Sequence, residues 1–92
     1  MQILAGTYTG DGVDNRWITV GFSPDFVYVK GDVIQEGVYR TSDMANDECI
    51  APYRYTGMLT NRIQDFDATR FQVGNDNEVN ANGTSYYWVA VR

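Results

Sequence analysis

The chain has 92 residues, with seven Lys or Arg against twelve Asp or Glu, no His and a single Cys. A net charge of −5 speaks against nonspecific nucleic-acid binding. The lack of His, with Cys49 alone, excludes a structural zinc site, a Cys-His dyad and an internal disulfide within one chain.

This length fits one domain, residues 1–92, with a modest core that needs no metal or disulfide staple. Met1-Gln2-Ile3-Leu4-Ala5 is too short for a signal-peptide apolar region and has no basic residues in front. No run approaches the length of a membrane-spanning helix. The expected location is the cytoplasm of a host cell, or a particle assembled there and released by lysis.

Gln2 to Tyr8 predicts a first strand. Thr9 to Asn15 crowds Gly and Asx residues as a loop does. Arg16 to Val20 is rich in β-formers and predicts a second strand, broken by Gly21-Phe22-Ser23-Pro24-Asp25. Phe26 to Lys30 is apolar without a clear polar face and predicts a central strand. Gly31-Asp32 turns the chain. Val33 to Arg40 predicts a further strand, with Gly37 as a bulge. Thr41 to Glu48 has several helix caps but almost no apolar face, so it supports two helical turns at most.

Cys49-Ile50-Ala51 predicts a short strand ended by Pro52. Tyr53-Arg54-Tyr55 alternates aromatic and cationic. Leu59, Ile63 and Phe66 have helical spacing, yet the poor helix formers between them favour an extended run. Thr69 to Val73 alternates, with Phe71 and Val73 inward. Gly74 to Glu78 predicts a polar turn, with Val79 as an isolated apolar residue inside it. Asn82-Gly83 turns the chain into the closing run, Thr84 to Arg92. Tyr86 to Val91 is six apolar or aromatic residues in a row, which predicts a central strand covered on both faces and paired with Phe26 to Val29. The expected fold is all-β: a small antiparallel β-sandwich, jelly-roll-like, of about seven or eight short strands.

Few constellations suggest chemistry. Asp11-Gly12-Val13-Asp14-Asn15 and Asn75-Asp76-Asn77-Glu78 offer oxygen ligands of the type Ca²⁺ takes. Neither has EF-hand spacing, and Asx turn chemistry explains both. Asp65 and Asp67 would share a strand face about 7 Å apart, a spacing compatible with either glycosidase mechanism. A cleft is hard to build in 92 residues, and edge carboxylates explain the pair better. No catalytic residue, metal ligand or cofactor site is assigned, and the chain is expected not to be an enzyme. Trp88, Tyr86, Phe26 and Phe71 are expected in the core. Trp17, Tyr53, Arg54 and Tyr55 are the candidates for exposed binding groups, of the types that dominate interfaces and sugar stacking.

Two stretches carry a resemblance. One is Gly21-Phe22-Ser23-Pro24-Asp25-Phe26-Val27-Tyr28-Val29-Lys30, and the other is Asn80-Ala81-Asn82-Gly83-Thr84-Ser85-Tyr86-Tyr87-Trp88. With Gly6 to Gly12, Arg40 to Met44 and Phe71 to Gly74, they make the chain similar to a small all-β module of bacteriophage and prophage virion proteins. The resemblance covers nearly the whole chain and implies a non-enzymatic structural role. As a free-standing chain, it implies a capsid decoration (cement) protein, bound to a major capsid protein or tail component and forming a homo-oligomer. The alternative is a tail- or fibre-associated module that binds a host-surface glycan. Neither nucleic acid nor membrane is an expected partner. Met1 to Leu4 is expected to be able to add to a neighbour's sheet edge.

Overall fold

The computed structural model describes residues 1–34, 36–53 and 57–92. They form seven strands: β1 (Ile3–Thr9), β2 (Arg16–Thr19), β3 (Phe26–Gly31), β4 (Val38–Thr41), β5 (Ile63–Phe66), β6 (Arg70–Val73) and β7 (Ser85–Val91). A single helical turn, α1 (Asn77–Asn80), precedes β7. The strands make two antiparallel sheets, ordered β1-β7-β3-β4 and β2-β6-β5. The fold is the small all-β sandwich that the Gly- and Asx-punctuated sequence predicts.

The core lies between the sheets. Val27, Val29, Val38, Tyr86, Trp88 and Ala90 face Ile18, Ile63, Phe71 and Val73 across it. Trp88 packs edge-on to Phe71, ring centroids 5.5 Å apart, and Tyr8 stacks on Tyr86 at 5.3 Å. The Trp88 ring lies over Gly6 on β1, where an added Cβ would come within 2.4 Å of the indole. Glycine at position 6 is thus fixed by packing, not by turn geometry.

β7 lies between β1 and β3, and its partner on one side is Phe26 to Gly31, as expected. One expectation fails. Strand β7 is covered on one face only: Tyr86, Trp88 and Ala90 point inward, while Tyr87 and Val89 are exposed. The uninterrupted apolar run therefore hides an ordinary two-residue alternation, because the solvent side is apolar as well. Phe26 is corrected in the same way. It lies half-buried on the outer side of β3, against Tyr39.

Other boundaries shift for local reasons. β4 begins at Val38, and the chain before it turns, with Val33 fully outward. Gly37 is no bulge: a Cβ there would meet the Tyr28 hydroxyl at 2.0 Å. Cys49 and Ile50 make only isolated bridges, to Leu59 and Tyr39. Residues 42–48 form turns without a helix. They are held by buried Arg40, whose guanidinium donates to the carbonyls of Met44, Ala45 and Glu48 and lies over the Phe66 ring.

The expected polar turn before β7 contains α1 instead. Asp76 caps it by accepting from the Glu78 N–H, and Val79 and Asn80 are fully buried. Two tyrosines hold it in place: Tyr8 donates to the Val79 carbonyl and Tyr86 to that of Asn77.

Candidate docking face

Direct cross-strand partners share one side of a sheet. The registers of β1, β7, β3 and β4 therefore place Ile3, Ala5 and Thr7 beside Val91, Val89 and Tyr87. These in turn lie beside Phe26, Tyr28 and Lys30, and then Thr41 and Tyr39. This is the outer side of the four-stranded sheet. Tyr87 is 56% exposed, Val89 37% and Ile3 63%. Its register positions carry one ionisable side chain of the Asp/Glu/Lys/Arg type, Lys30. That ammonium folds aside onto the carbonyls of Gly31 and Ile34.

With strands about 4.8 Å apart and a rise of about 3.4 Å per residue, the face measures roughly 19 by 24 Å. Because β3 has six residues and β4 four, the sheet projects to roughly 390 Å², Lys30 and two threonines included. The largest apolar patch on a typical monomer is of comparable size and is often a binding site.

The opposite broad face differs. Outward positions on β2 and β6 pair Trp17 with Gln72 and Thr19 with Arg70. The Arg70 guanidinium lies 4.4 Å from the Trp17 ring centroid and is itself paired to Asp67 at 2.6 Å. Trp17 is thus half-covered by a cation on a polar face.

Two shallow clefts open on the apolar face. One, of about 260 Å³, is lined by Ala5, Tyr28, Lys30, Tyr87 and Val89, with its floor at Gly6 and Trp88. The other, of about 240 Å³, is lined by Tyr28, Lys30, Glu36, Gly37, Pro52 and Tyr53. Tyr28 and Lys30 separate them. Each is smaller than the roughly 300–1,000 Å³ of an ordinary small-molecule pocket. A broad face with shallow grooves suits a protein surface better than an enclosed ligand.

The four candidates do not form one site. Tyr53, 75% exposed, stands at the rim of the apolar face, while Trp17 lies on the opposite side of the sandwich. Arg54 and Tyr55 lie outside the described residues. Sequence reasoning missed Tyr87, Val89 and Tyr28, the centre of the face, because their strands looked covered on both sides; Ile3, on the edge strand, was expected only as part of a segment able to pair with a neighbour.

The acidic groups have internal roles. Asp11 accepts from the Val13 N–H and the Asn80 side-chain amide and pairs with Arg16 at 3.5 Å. Its bond from Val13 foremost holds its carboxyl below the ordinary range. Buried Asn80 ties that loop down by donating also to the Val13 carbonyl and accepting from the Asp11 N–H. In the second Asx-rich loop, Arg62 pairs with Glu78 at 2.8 Å and Asp76 at 3.3 Å.

Asp67 lies in the turn after β5, and its hydrogen bond from Arg70 lowers its pKa. Asp65 accepts from the Phe66 N–H and faces Arg40 at 3.9 Å. Each has its own arginine, so the two do not work as a pair. Among the described residues no group of His, Cys, Asp and Glu is arranged to hold a metal ion. Cys49 is fully buried, and burial pushes its thiol up to about 11. No helix among the described residues is long and apolar enough to cross a membrane. Comparison with protein-family models, with curated proteins and with solved structures finds no match.

Proposed function

We propose that this chain is a non-catalytic virion protein of bacteriophage type, a capsid decoration module that docks on its particle through the outer side of the β1-β7-β3-β4 sheet. The observation that carries the docking is the contrast between the two broad faces: one lined by Ile3, Val89, Tyr87 and Tyr28, the other by Arg70, Gln72 and Thr19. Antiparallel sandwiches ordinarily keep both outer sides polar, so an apolar outer side calls for a partner. The virion assignment comes from the resemblance in Gly21 to Lys30 and Asn80 to Trp88. Affinity would come from buried aromatic area, with Tyr87 and Tyr28 as anchors.

The test is the protein content of purified particles from the phage or prophage that encodes the chain. The chain is expected there in fixed proportion to the major capsid protein. Particles assembled in its presence but free of it would overturn the reading.

A second reading, a glycan-binding module of the tail, draws on the cleft between Tyr28 and Tyr53. It presents aromatic surface beside polar groups in a volume suited to a single sugar ring. A glycan array, probed with and without Ca²⁺, is blank under the decoration reading and positive under this one.

A further inference from the structure

Among the described residues, β1 is an edge strand without the usual defences of an edge. Natural edges are kept short, bulged, charged, interrupted by proline or covered, because free N–H and C=O groups template pairing with another chain. The other three edges of this sandwich follow that rule. β4 is four residues long, and Tyr39 on it exchanges backbone bonds with Ile50. β5 is four residues long, carries a register shift between Ile63 and Asp65, and receives the Asp47 N–H at the Gln64 carbonyl. β2 is four residues long and carries Arg16. β1 is seven residues long, ILAGTYT, in unbroken register with β7, with no charge and no proline.

Its hydrogen-bonding phase is fixed. Gln2 and Arg92 exchange both backbone bonds, so the alternation of an antiparallel ladder directs Leu4, Gly6 and Tyr8 toward β7. Ile3, Ala5 and Thr7 therefore turn their N–H and C=O groups to the free edge. The Thr9 carbonyl is already taken by Arg16.

We propose that β1 pairs with β1 of a second copy of this chain, antiparallel about a two-fold axis at Ala5, joining two four-stranded sheets into one of eight strands. The phase is self-complementary. The two Ala5 residues exchange both of their bonds, and each Ile3 does the same with the opposite Thr7. The side chains agree with this register. Leu4 points to the inner side of the sheet, yet it is 44% exposed. In the dimer Leu4 stands opposite the partner's Gly6, the one position on β1 with no side chain, where it covers the edge of the partner's Trp88 ring. Charge allows the approach as well. Neither β1 nor β7 carries an Asp, Glu, Lys or Arg, so the net −5 of each copy lies elsewhere.

A seven-residue edge is about 24 Å long and buries less than the roughly 800 Å² per partner of a standard interface. The dimer is therefore weak in solution and strengthened wherever two copies are held side by side. The inference stands apart from the virion reading, since it needs only this chain.

Sedimentation equilibrium of the full chain, from micromolar to millimolar, tests it beside Ala5→Lys and Ala5→Pro. Lysine sets two like charges face to face. Proline removes an N–H that β7 does not use, so the β1–β7 ladder keeps its bonds. The wild type is expected to move from monomer to dimer over this range, and Ala5→Lys, unfolding at the wild-type temperature, to stay monomeric. Ala5→Pro behaves likewise where it folds. Register is read by cysteine exchange. Two hydrogen-bonded partners lie about 5.5 Å apart at Cα, within disulfide reach, so Ala5→Cys oxidises to a covalent dimer and Thr7→Cys, opposite Ile3, does not. Buried Cys49 does not compete. A wild type that stays monomeric throughout, an Ala5→Lys protein that dimerises equally well, or equal cross-linking from positions 5 and 7 overturns the proposal.

Discussion

Trp88 and Tyr87 are neighbours on one strand and face opposite ways. Trp88 is almost fully enclosed, edge-on to Phe71 and close against Gly6. Trp88→Ala leaves a cavity at the centre of the sandwich that neither sheet can collapse into, because the Gly6 backbone already sits against the ring. Its expected cost is about 3–5 kcal/mol, measured by denaturant unfolding. A variant as stable as the wild type would place Trp88 outside the core. Tyr87 makes no such contribution, and over half of it remains in water. Three of the four large aromatics expected in the core from sequence are there: Trp88, Tyr86 and Phe71. Phe26 is on the outer side, in register with Val91 and Thr41; the run it opens, Phe26 to Val29, is apolar at every position and so does not mark which side is wet.

At the scale of elements, the alternating pattern of Phe71 and Val73 made β6 legible, and the turn at Asn82-Gly83 placed the start of β7, with Gly83 at a φ of 83°. The helical turn α1 was not legible. Four residues are too few for a helical period, and the turn is held by bonds to distant partners: exposed Asn77 accepts from Tyr86 through its carbonyl, while the buried polar residues Glu78 and Asn80 bond to Arg62 and the Asp11 loop. The segment 42–48 was hidden for a similar reason. It has almost no apolar face of its own and takes its shape from Arg40, which reaches it from β4. Arg40→Met keeps the bulk between the sheets but leaves three carbonyls without their charged donor. The expected loss is about 2–3 kcal/mol in thermal or denaturant unfolding, the scale of a bond to a charged group, with faster amide exchange confined first to residues 42–48. Unchanged exchange there would mean that the turns hold themselves.

The molecule as a whole is a sandwich with unlike sides. Composition and turn spacing announced the sandwich, but the apolar outer face is a product of register. Ile3, Val89 and Tyr28 are far apart in sequence and become neighbours only when β1, β7 and β3 pair as they do. The exposed aromatics sought in the sequence were those flanked by polar or turn residues, which found Tyr53 at the rim and Trp17 on the far side. The centre of the face lay in runs that looked like core. If the face is a docking surface, its residues can be changed without harm to the fold and with loss of the partner. The direct measurement is the binding of purified Tyr87→Lys/Val89→Lys protein to particles stripped of the wild-type chain, beside its unfolding curve. The account predicts that the double variant unfolds within about 1 kcal/mol of the wild type, as surface substitutions do, and fails to bind. A double variant that folds and still occupies the particle at the wild-type level would contradict it.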